Sequence, residues 1–216
     1  ALNVDEIVKT VLEGNAIRTA TPLTSKHFGF DRTLAPVKLD ADRAKKLLAD
    51  AGFPQGIDLT LNSPDGRYLK DKEVAEAVAG QLPKAGIRTR VKTHEWTTYL
   101  TQLVYPHKAN PMYLIGWGNT TWDADGTLFP LFRSGNPQSN YNSPDFDGMI
   151  DEAQPSVDPK RRLITAAMLK LEETTGGLLS RITRVERDAS KLPTLSVAKY
   201  SSVLRPSGSR AANACE

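Results

Sequence analysis

Cysteine is nearly absent from this chain of 216 residues: the one present, Cys215, is next to the last residue. Neither an internal disulfide nor a thiolate metal cage can be built from it. Histidine is scarce too. His27, His94 and His107 lie far apart and share no ligand-type spacing, so they read as surface or loop residues, and no metal is expected. No apolar run approaches the ~20 residues that a membrane-spanning helix needs. The opening, Ala1 to Glu6, has no basic stretch and no apolar one. No signal peptide is therefore expected within it: either one has been removed or the chain begins inside a longer protein. Charge of one sign is also lacking. The formal excess is only +3 and it is dispersed, which argues against nucleic acid as a partner. There is no Gly-x-Ser-x-Gly elbow, no Gly-rich phosphate loop, and no aromatic residue from Asp147 to Lys199.

What the sequence does contain is alternation of helical and strand patterns. Val4, Ile7, Val8, Val11 and Leu12 recur at helical spacing and Gly14 follows as a stop. Residues 15–39 are irregular. A short helix over residues 42–51 has an acidic cap and ends at Gly52. Residues 57–61 alternate as a half-buried strand does, and Asn62-Ser63-Pro64-Asp65-Gly66 reads as a turn. Residues 71–85 form the longest helical pattern, with a kink or stop expected near Leu82 because of Pro83. Residues 87–93 alternate again, 96–104 read as a helix, and 111–117 are a continuous apolar run of the kind buried on both faces of a sheet. Helices are expected over 127–132, 145–153 and 160–171. This order predicts an α/β fold: a mainly parallel or mixed sheet in three layers, with helices on both faces. In such sheets ligands sit beyond the carboxyl ends of the strands, so residues 62–70, 94–96 and 117–126 are the loops to watch.

Within them, Gly116 to Leu131 concentrates Trp117, Trp122 and several hydrogen-bonding groups just after a buried strand, as a small-molecule pocket requires. Asp123-Ala124-Asp125-Gly126 resembles the start of a calcium loop, but the expected acidic partner is replaced by Phe129-Pro130-Leu131-Phe132; an acidic helix start is the simpler reading. A hydrolase using Asp123 and Asp125 as a carboxylate pair is disfavoured, because residues two apart do not converge on one bond. Arg67, in the loop after the first strand, can receive a ligand carboxylate through its guanidinium fork.

Five stretches in order resemble one known family: residues 42–61 (DRAKKLLADAGFPQGIDLTL), 72–82 with Ala85-Gly86-Ile87-Arg88, Glu95-Trp96-Thr97-Thr98-Tyr99, Ile115-Gly116-Trp117-Gly118, and residues 139–147 (SNYNSPDFD). The chain is similar to the second lobe of the bacterial extracytoplasmic solute-binding proteins of the dipeptide, oligopeptide, nickel and glutathione family. The resemblance implies one lobe of a type II periplasmic-binding-protein fold over residues 1–170, with residues 171–216 a divergent tail. It implies the substrate-binding component of an ABC importer, not an enzyme, capturing a dipeptide, oligopeptide, glutathione or opine. It also implies a periplasmic or otherwise extracytoplasmic location, no cofactor, and two protein partners: a membrane permease and a first lobe of the same protein. The alternative is a structural or partner-binding fragment with no ligand of its own. The ligand-binding residues implied by loop position and family pattern are Arg67, Trp96, Trp117, Asn119, Thr120, Trp122, Asp123, Asp125, Asn140 and Asn142. One departure stands out. In peptide-binding members an Asp three residues after the Gly-Trp tryptophan holds the peptide ammonium; here that position is Thr120, and Asp123 is offset from it.

Overall fold

A computed structural model describes residues 1–109 and 111–156, together with the backbone of the two-residue strand at 199–200. The helix expected over 160–171 lies outside the described residues, as does the tail from 171 onward apart from that strand. Helix α1 (Val4–Thr10) is capped by Asn3, whose side chain accepts from the Glu6 N–H, and it buries Ile7. Helix α2 (Ala41–Asp50) starts on Asp40, which accepts from the Arg43 N–H. Strand β1 (Ile57–Pro64) leads to helix α3 (Asp71–Gln81), and Leu82–Ala85 then tightens into a 3-10 turn. Pro83 explains that turn, since it cannot supply the N–H an α-helix would use there. Gly86 closes it at φ 84° and its carbonyl receives the Ile57 N–H, so the left-handed turn also sets the start of the sheet.

Strand β2 (Ile87–His94) pairs in parallel with β1 along its whole length, Ile57 opposite Ile87 and Pro64 opposite His94. Helix α4 (Trp96–Thr98) continues as a π-helical segment, Tyr99–Val104. Strand β3 (Met112–Tyr113) then pairs in parallel with the other side of β1, giving the order β2-β1-β3. The chain thus moves one way across the sheet and then back past β1. Right-handed crossovers require the two connections to lie on opposite faces, and they do. Leu61 and Met112 pack with Val74, Ala75, Val78 and Leu82 of α3 and with Ile7 and Leu12. Tyr113 instead packs with Tyr99, Val104 and Ala109 on the far side. The expected three layers are therefore present. Strand β4 (Ile115–Gly116) pairs with β5 (Lys199–Tyr200) in a second, two-stranded sheet. Helices α5 (Asp125–Phe132) and α6 (Pro144–Ala153) bury Leu128, Phe146 and Ile150 together with Leu23. Arg133 fastens the pair, meeting both oxygens of Asp151 at 2.8 Å.

Four expectations need correction. Strand β1 runs three residues past Leu61, because Asn62, Ser63 and Pro64 continue the register opposite Lys92, Thr93 and His94. The buried run 111–117 is not one strand: it divides between two sheets at Leu114, whose N–H goes to the Asn62 carbonyl. The helix at 96–104 is mostly π-wound. His27 lies in a loop, as one half of the expectation had it, but not at the surface: it is buried, with Nδ1 2.9 Å from the Thr24 hydroxyl.

Candidate ligand-binding site

The carboxyl ends of β1, β2 and β3 meet at one edge of the sheet. The loop after β1 is shaped by a single buried carboxylate. Asp71, only 3% exposed at the start of α3, accepts from the N–H groups of Gly66 (3.0 Å), Arg67 (2.8 Å), Tyr68 (2.9 Å) and Lys72 (2.9 Å). Three of these charge-assisted bonds fix residues 66–68 and the fourth holds the first turn of α3, and Lys70 takes a left-handed conformation (φ 52°) to let the helix begin there. The loop then presents the Arg67 guanidinium 4.8 Å from the centre of the Trp96 ring and 5.8 Å from that of Tyr68. Tyr68 meets Trp96 edge-on at 5.7 Å, and its hydroxyl donates to the Gly116 carbonyl at 3.3 Å. A side chain at 116 would collide with that ring, its Cβ falling 2.8 Å from a Tyr68 ring carbon, which is why glycine stands there. Burial raises the Tyr68 pKa, so this hydroxyl is a donor at neutral pH.

On its other side Trp96 packs against Tyr99, in the helical segment that it opens. Glu95 caps α4, accepting from Thr97 N–H (2.8 Å) and Thr98 N–H (2.9 Å), and those bonds hold its carboxyl below the usual range. Trp96 lies 6.2 Å from Tyr99, and Tyr99 stacks on His94 at 5.8 Å. The fully buried Tyr99 hydroxyl sits between two carbonyls, Leu114 at 2.7 Å and Asn62 at 3.1 Å, and burial pushes its pKa far up. It ties the end of β1 to the chain leaving β3.

A second group forms from residues 117–127. The Trp117 indole N–H donates to the Gly126 carbonyl at 2.9 Å. The Asn119 amide donates to the Asp123 carbonyl (2.6 Å) and the Thr127 hydroxyl (2.8 Å), while its oxygen accepts from Thr121. Asp123 accepts the Asp125 N–H at 3.0 Å, and both border a shallow depression completed by Ala124, Leu128, Ile150, Ala153 and Gln154. Trp122, 47% exposed and left-handed at φ 54°, rests against His27 at 5.2 Å, with the Lys26 ammonium 6.0 Å from its ring. Thr120 is exposed in the same loop.

Of the ten expected ligand residues, Arg67 and Trp96 are in direct contact, and Trp117, Asn119, Asp123 and Asp125 share one loop. Trp122 belongs to a separate contact with residues 26–28. Asn140 and Asn142 stand apart as well. Asn140 bridges the Tyr113 hydroxyl (2.7 Å) and His107 Nδ1 (2.6 Å), and Asn142 accepts from Ser134 at 3.5 Å. Sequence reasoning missed Tyr68, Asp71, His94 and Tyr99. Asp71 carried a visible signal, an acid at the start of a helix just after a turn; Tyr99 and His94 carried none, since their partners are far away in sequence. Among the described residues no three His, Cys, Asp or Glu are placed to hold a metal, and no helix is long and apolar enough to cross a membrane.

Residues 1–139 match the family "bacterial extracellular solute-binding proteins, family 5 Middle". The chain is 25% identical over 165 residues to heme-binding protein A of Haemophilus influenzae, covering 71% of this chain and 29% of that protein. It is 28% identical over 178 residues to glutathione-binding protein GsiB of Escherichia coli (strain K12), covering 77% and 34%. Among solved structures it is similar to the ABC transporter-associated periplasmic binding protein DppA from Helicobacter pylori in complex with peptide STSA. There the TM-score is 0.69 and the identity 25%, with 79% of this chain and 34% of that one covered. The chain thus spans about a third of the length of these relatives. With the match covering most of its length, the chain belongs to family 5 of the bacterial extracellular solute-binding proteins.

Proposed function

We propose that this chain is the ligand-gripping lobe of the solute receptor of an ABC importer, and that its solute is a small peptide-like molecule with a free carboxylate. The observation that carries this reading is the Arg67 guanidinium held against Trp96 and Tyr68 at the carboxyl edge of the parallel sheet. Stacking on two rings orders the guanidinium before a ligand arrives, so less side-chain freedom is lost on binding. Its N–H fork then suits a carboxylate, which it can meet through two parallel N–H···O bonds. The similar proteins described as binding glutathione and the peptide STSA support a peptide-like solute. Trp117, Asn119, Thr120, Asp123 and Asp125 would complete the wall on the β4 side. Trp122, Asn140 and Asn142 lie further out and would contribute through the shape of their loops. The remaining partners are a first lobe that closes over the site and a membrane permease that accepts the solute, at an extracytoplasmic location. Nothing in this role requires catalysis.

Calorimetric titration with glutathione, a dipeptide and an opine tests it. Heat from one of them is expected, with Arg67→Ala weakening that ligand at least about tenfold, the loss of roughly one charge-assisted bond. Arg67→Lys should recover little, since an ammonium has no planar fork. The absence of heat from all three would refute the reading.

A further inference from the structure

His94 ends β2 in the midst of this aromatic row, and the hydrogen bonds around it fix its tautomer. The Asn62 amide donates to the Ala109 carbonyl at 3.0 Å, so its other atom, Oδ1, is the one facing His94 Nε2 at 2.9 Å. An oxygen there accepts, so Nε2 carries the proton and Nδ1 is left with a lone pair. Among the described residues no group donates to that lone pair. His94 is half-buried, stacked on Tyr99, and its own carbonyl accepts the Asp65 N–H at 3.0 Å, which places it beside the loop that presents Arg67.

We propose that His94 is a further ligand-contacting residue of the strand-end site, accepting through Nδ1 a hydrogen bond from an N–H of the solute whose carboxylate Arg67 holds. This inference rests on the receptor reading above. It narrows the solute to molecules carrying both groups, an amide or amine N–H and a carboxylate, as peptides and amino-acid conjugates do. The surroundings favour the neutral ring that such a contact needs. Burial and the nearby Lys92 ammonium both lower the His94 pKa. β1 contributes only the neutral Asn62, and the helix after β2 contributes Tyr99. Of the other charged neighbours, Arg67 is cationic and Asp65 is exposed in its loop, while Glu95 already holds the Thr97 and Thr98 N–H groups. Protonation would take place at Nδ1 and leave the Asn62 bond intact, so it removes the acceptor without disturbing the strand.

The test has two readouts. Long-range nitrogen–proton NMR of the ring should show the Nε2–H form at pH 7.5, with the signal assigned by its loss in H94Q. Calorimetry with glutathione, or with the dipeptide if glutathione gives no heat, should show affinity falling about three- to fivefold from pH 7.5 to 5.5, on the way to the roughly tenfold limit set by a lowering of this pKa by about one unit on binding. H94Q retains an amide N–H for Asn62 but does not titrate, so its affinity should be flat across that range. An Nδ1–H tautomer, or heat that is independent of pH in both proteins, would overturn the role of His94 while leaving the receptor reading intact. Affinity that rises at acid pH would overturn it too, since it would mean an anion faces the ring. Failure of both probes to bind at either pH would overturn the receptor reading and this inference together.

Discussion

Replacing Asp71 by Ala is the sharpest perturbation the structure offers. It removes the acceptor of four backbone N–H groups at once and leaves three loop amides and the first turn of α3 without a partner. A hydrogen bond to a charged acceptor contributes about 1.5–3 kcal/mol, but four bonds to one carboxylate are not additive, and amides in this half-buried loop can recruit water. A cap by itself is worth about 1 kcal/mol. The expected loss is therefore about 3 kcal/mol, near the top of the ordinary range for one substitution. For a chain of this size that lowers Tm by about 6–12 °C. Differential scanning calorimetry reads the shift and urea titration reads the free energy. Asp71→Asn, which keeps the shape but turns one acceptor into a donor facing N–H groups, should lose nearly as much. Ligand affinity should fall in both, because the Arg67 guanidinium loses the loop that aims it. A loss under about 0.5 kcal/mol, the range of a neutral surface change, would refute the idea that this carboxylate shapes the loop.

Other outcomes follow from the same geometry. Tyr99→Phe leaves the Leu114 and Asn62 carbonyls without their shared donor and should cost about 1–2 kcal/mol in urea unfolding, with the sheet order intact. Gly116→Ala pushes the Tyr68 ring off its seat; tryptophan fluorescence should shift as the Tyr68–Trp96 contact changes, while the melting temperature moves less than in the Asp71 variants. Stability should fall as pH drops from about 7 through the His94 pKa. A histidine whose folded pKa is lowered must take up its proton against the fold, so the loss begins near the unfolded value of about 6.5 and levels off below the folded one. H94Q should flatten that limb but not the steeper one further down. There Asp58 and Asp151, lowered by their arginine partners, and Glu95, lowered by the N–H groups it caps, become protonated.

Much of the fold was legible because its signals are local. Asp40 as a cap, Pro83 as the reason α3 stops, and Gly86 as a left-handed turn are properties of single residues and their neighbours. What was not legible depends on distant partners. Asn62-Ser63-Pro64 has turn composition, yet it stays in the strand because β2 pairs with it and because the Asn62 amide is satisfied by Ala109 and His94. The apolar run 111–117 has uniform composition, so nothing within it marks Leu114 as the point where one sheet gives way to another. For the candidate site, loop position singled out Arg67 and Trp96, which the structure brings into contact, whereas Asn140 has both ends of its amide occupied by Tyr113 and His107.

The Asp71 arrangement separates the shape of a loop from what the loop recognises. The carboxylate grips main-chain N–H groups, which every residue but proline possesses, while the side chains of Arg67 and Leu69 point out exposed. Positions 67 and 69 can therefore mutate without collapsing the turn. Under the proposed receptor role, a lineage carrying this device can exchange a cation for a neutral or acidic group and change its solute in few steps, with the architecture untouched.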